Sequence, residues 1–148
     1  MKLDLDIQYA SRLSTIPEAA KFKRWIKAGL GAMNHAAEIT LRVVNEAEGR
    51  NLNSEFRGKD YATNVLTFVY HEPGSPFLQG DLILCAPVVS REAREQGKPV
   101  EHHYAHLTVH GVLHLAGMDH VRPRDAEMME AREIAILERL KVPNPYEL

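Results

Sequence analysis

The chain has 148 residues, 45% of them hydrophobic and 26% charged, with a formal net charge of −2. This is room enough for one ordinary domain with its own core, and the near-neutral balance excludes a simple basic coat for nucleic acid. A single cysteine, Cys85, excludes an internal disulfide and fits a reducing cytosol. The longest apolar runs, such as Leu82–Val89, fall far short of the ~20 residues of a membrane span. The first eight residues lack the apolar core of a signal peptide. A cytoplasmic protein without a membrane anchor is expected, folded as one domain over residues 1–148.

The elements read as follows. LDLDIQY (Leu3–Tyr9) alternates apolar and polar residues, which predicts a half-buried strand. A helix follows, with Ser14 or Thr15 as cap and Pro17 in its first turn; Phe22, Trp25, Ile26 and Leu30 recur at helical spacing, and Gly29 and Gly31 are the stops. Ala37–Val44 reads as a second strand and Asn64–Tyr70, rich in β-branched and aromatic residues, as a third. The stretch HEPGSPFLQG reads as a loop, and Asp81–Ala86 as a fourth strand, with Cys85 a small core residue. Three helices complete the chain. Pro87 opens one that closes near Gly97, Pro99 opens the next, ending near Gly117, and Asp125 caps the last, which carries Met128, Met129, Ile134, Leu137 and Leu140. Strands first and helices last predict an α+β fold.

Charge is uneven. Residues 1–60 hold 10 Lys/Arg against 8 Asp/Glu, and residues 61–148 hold 8 against 12. Lys21, Lys23, Arg24 and Lys27 crowd one segment, and Arg42, Arg50, Arg57 and Lys59 follow, so either a local basic surface or ordinary solvated charges would account for them.

HGVLHLAGMDH (His110–His120) has the spacing H-x-x-x-H-x-x-G-x-x-H found on metzincin-type, zincin-like metal helices. His110 and His114, four apart, share one helix face and their rings can converge on one ion. His106 lies on that face too, but eight residues of helix span about 12 Å, too far for both outer rings to reach one metal. Gly117 supplies another route. A glycine past a helix end takes the left-handed conformation readily, so the chain can turn back and bring His120 to the pair. Three imidazoles leave a fourth tetrahedral position for water, as catalytic sites do. Zinc, one per chain, is the expected metal, and other imidazole-binding divalent metals fit as well. Asp119 is either a carboxylate orienting a histidine or a turn residue. His102 and His103 are expected to face solvent, and His106 to line the site entrance.

Peptide-cleaving HExxH sites carry a glutamate general base after the first histidine. Here that position is Gly111, which moves no proton. Phosphodiester cleavage relies more on charge stabilisation and a metal-activated nucleophile, and benefits from a cation on the phosphate.

Three segments in order, LNSEFRGKDYATNVLTF (Leu52–Phe68), GDLILC (Gly80–Cys85) and HLTVHGVLHLAGMDH (His106–His120), resemble the YbeY family of endoribonucleases. The resemblance covers about residues 40–140. HGVLHLAGMDH matches the family's three-histidine motif, and Arg57 stands at its hallmark arginine. Ala62 stands where the family favours proline, and Met118 where it favours tyrosine. The resemblance implies a small mixed four-stranded sheet with helices around a zinc site. It implies cleavage of single-stranded RNA, a role in small-subunit ribosomal RNA maturation and ribosome quality control, and ribosomal small-subunit proteins as partners. On this reading His110, His114 and His120 hold the metal, a bound water of lowered pKa acts as nucleophile or base, and Arg57 and His114 are required for catalysis. Two rivals stand beside it: a metallohydrolase of peptide or amide bonds, and a metal-stiffened ribosome assembly factor without catalysis.

Overall fold

The computed structural model describes residues 2–31, 36–118 and 121–147. Its elements run β1 (Leu3–Tyr9), α1 (Ala19–Leu30), β2 (Ala36–Val44), α2 (Glu46–Arg57), β3 (Val65–Val69), β4 (Phe77–Cys85), α3 (Ala86–Glu95), α4 (Val100–Leu115) and α5 (Pro123–Arg139). The strands form one mixed sheet in the order β1-β2-β4-β3. β1 and β4 lie parallel to β2, and β3 lies antiparallel to β4, with Val65 opposite Leu84 and Val69 opposite Gly80. The architecture is the α+β fold with a four-stranded mixed sheet that the sequence predicts.

Strand alternation sends side chains to two helical layers. Ala37, Ile39, Leu41 and Val43 of β2 join Leu82 and Leu84 of β4 in the main core, against Phe22 and Ile26 of α1, Tyr104 and Val109 of α4, and Met129 and Leu137 of α5. On the opposite face Val44, Leu66, Ile83 and Cys85 pack with Val88 of α3 and the half-buried Leu52 of α2. Ala62 and Met118, the two departures from the family pattern, pack against the second cluster and the main core respectively.

α4 is the central helix. From His103 to Leu115 every side chain is buried except His106, His110 and His114, which lie four apart along one strip. Close contact on both flanks fixes that strip. A Cβ at Gly29 of α1 would lie 2.9 Å from Val112, and one at Gly111 would lie 2.7 Å from Leu82 of β4. Gly111 is therefore the point where helix meets sheet, and a side chain there would have to displace a Leu82 methyl.

Three boundaries and one whole helix differ from the sequence reading. α1 starts at Ala19, not near Ser14, because Glu18 stays extended; the Tyr9 hydroxyl donates to the Pro17 carbonyl at 2.9 Å. α5 starts at Pro123, with Asp125 in its first turn, where a carboxylate favours the helix dipole. β4 starts at Phe77, inside the segment read as loop. α2 was not anticipated at all: it is polar, and its Gly49 looks like a breaker, yet a Cβ there would lie 3.1 Å from the Cys85 sulfur. Among the described residues no helix is long and apolar enough to cross a membrane.

Candidate active site

A cleft of 550 Å³ opens at β3, the edge strand of the sheet. Phe56 and Arg57 line it from the end of α2, Asn64 from just before β3, Val65–Phe68 from β3 itself, and His110 and His114 from α4. The two imidazole rings lie 5.1 Å apart, centre to centre. Arg57 reaches the cleft because Gly58, in the left-handed conformation (φ 68°), ends α2 directly after it. Among the described residues Arg57 makes no ion pair, and its side chain is exposed. By contrast Lys21 pairs with Glu101, Arg42 with Glu48 at 2.6 Å and Arg50 with Asp60 at 2.8 Å, so those charges belong to ordinary surface pairs. The basic residues of α1 do not line this cleft.

The other end of the strip is built around a carboxylate that the sequence reading missed. Glu133 of α5 is fully buried. It accepts hydrogen bonds from His106 Nε2 at 2.9 Å, from His110 Nδ1 at 3.2 Å and from the Tyr146 hydroxyl at 3.0 Å. Burial alone would raise its pKa, but the bonds from His106 and His110 outweigh it and hold the carboxyl at about 2. An ionised carboxylate only accepts, so His110 presents N–H to it at Nδ1. A carboxylate on one ring nitrogen is the partner that metal-binding imidazoles carry, so the residues present fit a divalent metal. A signal for Glu133 did exist. It lies four residues after Met129 and four before Leu137, on the buried stripe of α5, while Met128, assigned to that stripe, is exposed.

His106 is tied to Glu133 and to Tyr146 (3.3 Å) and does not line the cleft with Arg57. His103, expected in solvent, is 3% exposed, and His102 is half-buried. The reason is α3. Glu92 accepts from His103 Nε2 at 2.8 Å and from Asn64 Nδ2 at 3.0 Å, knotting β3, α3 and α4 together. The helix carrying the motif ends as expected: Gly117 takes φ 98°, its N–H donates to the His114 carbonyl and the Met118 N–H to that of Leu113, both at 3.0 Å. Asp119 and His120 lie outside the described residues. Among the described residues no three of His, Cys, Asp and Glu come together as a metal site, the set of His106, His110 and His114 included. Cys85 is a buried free thiol, its pKa raised by burial.

Compared with known proteins, residues 7–141 match the family described as endoribonuclease YbeY. The chain belongs to that family. Proteins named endoribonuclease YbeY from Thiobacillus denitrificans and Aromatoleum aromaticum are 55% and 59% identical to it, over 98% and 88% of this chain and 97% and 81% of theirs. The solution structure of TM1509 from Thermotoga maritima matches with a TM-score of 0.58 and 25% identity, covering 97% of this chain and 99% of that one. The family resemblance read from the three segments is borne out, and the YbeY family is one of RNA-cleaving hydrolases.

Proposed function

We propose that the protein is a metal-dependent endoribonuclease that cuts single-stranded RNA during small-subunit ribosomal RNA maturation, at its 3′ end, and in ribosome quality control. The observation that carries this reading is the shared cleft: Arg57 from α2 faces His110 and His114 from α4 across the edge strand. Arg57 binds the scissile phosphate and stabilises the charge that develops on it. Glu133 fixes the His110 ring. Gly111 puts no carboxylate at the position where a peptide-cleaving HExxH helix carries its general base, which favours phosphodiester over peptide chemistry. His110, His114 and His120 would hold one zinc ion, which when bound polarises a phosphoryl oxygen and acidifies a water. Membership of the endoribonuclease family supports RNA as substrate. The ribosomal partners rest on the family resemblance, and the cytoplasmic location on the single cysteine, which fits a reducing compartment.

The test combines metal content with cleavage. One zinc per chain is expected, lost in His120→Ala and retained in His106→Ala, with RNA cleavage lost on chelation and restored by zinc. A 2′,3′-cyclic phosphate product would show attack by the RNA 2′-hydroxyl. Tight binding to small ribosomal subunits without cleavage of any RNA would replace this reading with that of an assembly factor.

A further inference from the structure

Phe56 occupies an odd position. On α2 it lies four residues after the half-buried Leu52 and three after the buried Asn53, on the helix face turned to the sheet. Such a position should be covered, yet Phe56 is 59% exposed. The sheet runs out beneath it. β3 is the edge strand, and the ring rests on Phe68 of that strand, T-shaped with centroids 5.1 Å apart. Beyond β3 lies the cleft, which both rings line together with Arg57, His110 and His114. A large aromatic surface is thus left open beside the exposed Arg57 guanidinium at the same cleft mouth.

Unstacked bases of single-stranded nucleic acid are held on exposed aromatic rings while a cation holds the backbone. A paired base has its faces covered by its neighbours and offers none to such a ring. We propose that Phe56, supported by Phe68, is the stacking platform for the base of a nucleotide next to the scissile phosphate, and that this platform makes the cleft selective for unpaired RNA. The inference rests on the nuclease reading for its substrate. Adjacent positions on one helix end divide the work. Arg57 takes the phosphate and Phe56 takes the base.

The experiment compares binding of a labelled single-stranded RNA of roughly ten nucleotides with that of an abasic oligomer of equal length, by fluorescence anisotropy. The wild type is set beside Phe56→Ala, Phe56→Leu and Phe56→Tyr. Stacking on one aromatic ring predicts that the wild type and Phe56→Tyr prefer RNA over the abasic strand by on the order of 10-fold. Phe56→Ala and Phe56→Leu should lose most of that preference while binding the abasic strand as the wild type does. Leucine keeps an apolar contact to Phe68 without a π-face, so full preference in Phe56→Leu overturns the proposal. Equal weakening of both oligomers in Phe56→Ala also overturns it, since a base contact cannot act on a strand without bases. Cleavage of the same RNA by the wild type tests the nuclease reading separately. Base preference through Phe56 without cleavage sinks that reading alone, and cleavage with preference untouched in Phe56→Leu sinks the platform alone.

Discussion

The two halves of α4 each carry a pair of histidines about one helical turn apart, His103 and His106 in the first and His110 and His114 in the second, and put them to opposite uses. In the first half, His103 and His106 are closed off by carboxylates from neighbouring helices, Glu92 at 2.8 Å and Glu133 at 2.9 Å. In the second half, His110 and His114 line a cleft shared with Arg57, and a carboxylate holds His110 from behind. The residue type is the same, so the difference lies in what packs across each ring. Where α3 and α5 cover the helix, imidazole is a tie between elements. Where the helix runs past the sheet edge, imidazole lines the cleft.

If that division is right, substitution should separate metal from stability. The largest effect is expected for His110→Ala, which should bring metal content close to zero, while His106→Ala keeps the metal and lowers the unfolding midpoint. Metal analysis and urea melts on the two variants check this, and metal loss in His106→Ala with retention in His110→Ala would reverse the assignment. Glu133→Ala comes next, because Glu133 serves both halves. It leaves two imidazole N–H groups without their acceptor, costing about 1–3 kcal/mol, and frees the His110 ring, which should weaken zinc binding roughly 10–100-fold. A variant with normal stability and normal zinc affinity would contradict the role given to this carboxylate.

The smallest effect concerns acid. Burial raises the Glu92 pKa, but the bonds from His103 and Asn64 prevail and hold it below the usual carboxylate range of about 4.3. A depressed carboxylate contributes stability that is fully present above its unfolded pKa and is lost as pH falls through the folded value. Wild-type stability should therefore decline below about pH 4, and Glu92→Gln should decline less over the same range. Parallel pH profiles for the two proteins would show that the His103–Glu92 knot adds nothing measurable.

The division between the halves was only partly legible in the sequence. The alternation of Leu3–Tyr9 and Ala37–Val44 makes strands of both, and the His110–Gly117 spacing places a helix end where the structure has it. Pro73, Gly74 and Pro76 make the stretch before Asp81 read as loop, although β4 already starts at Phe77. α2 is polar and carries Gly49, so the sequence reading passes over the helix that Arg57 ends. Glu133 and Glu92 were missed because their partners lie 23 to 27 and 11 residues away along the chain, on other helices. Local spacing carries the strip of histidines; the carboxylates that sort them are set by tertiary packing.

The central claim is that Arg57 and the α4 histidines form one RNA-cleaving site. Its most direct test is cleavage of a single-stranded RNA by the wild type, Arg57→Ala and His114→Ala, prepared alike, with metal content and melting temperature read on the same samples. Arg57→Ala should keep its metal and its fold and lose on the order of 100-fold or more in cleavage rate. His114→Ala should lose metal and cleavage together. Equal cleavage by all three would mark a contaminant, and full activity in Arg57→Ala alone would remove the arginine from the site; either result contradicts the shared cleft as the seat of the chemistry.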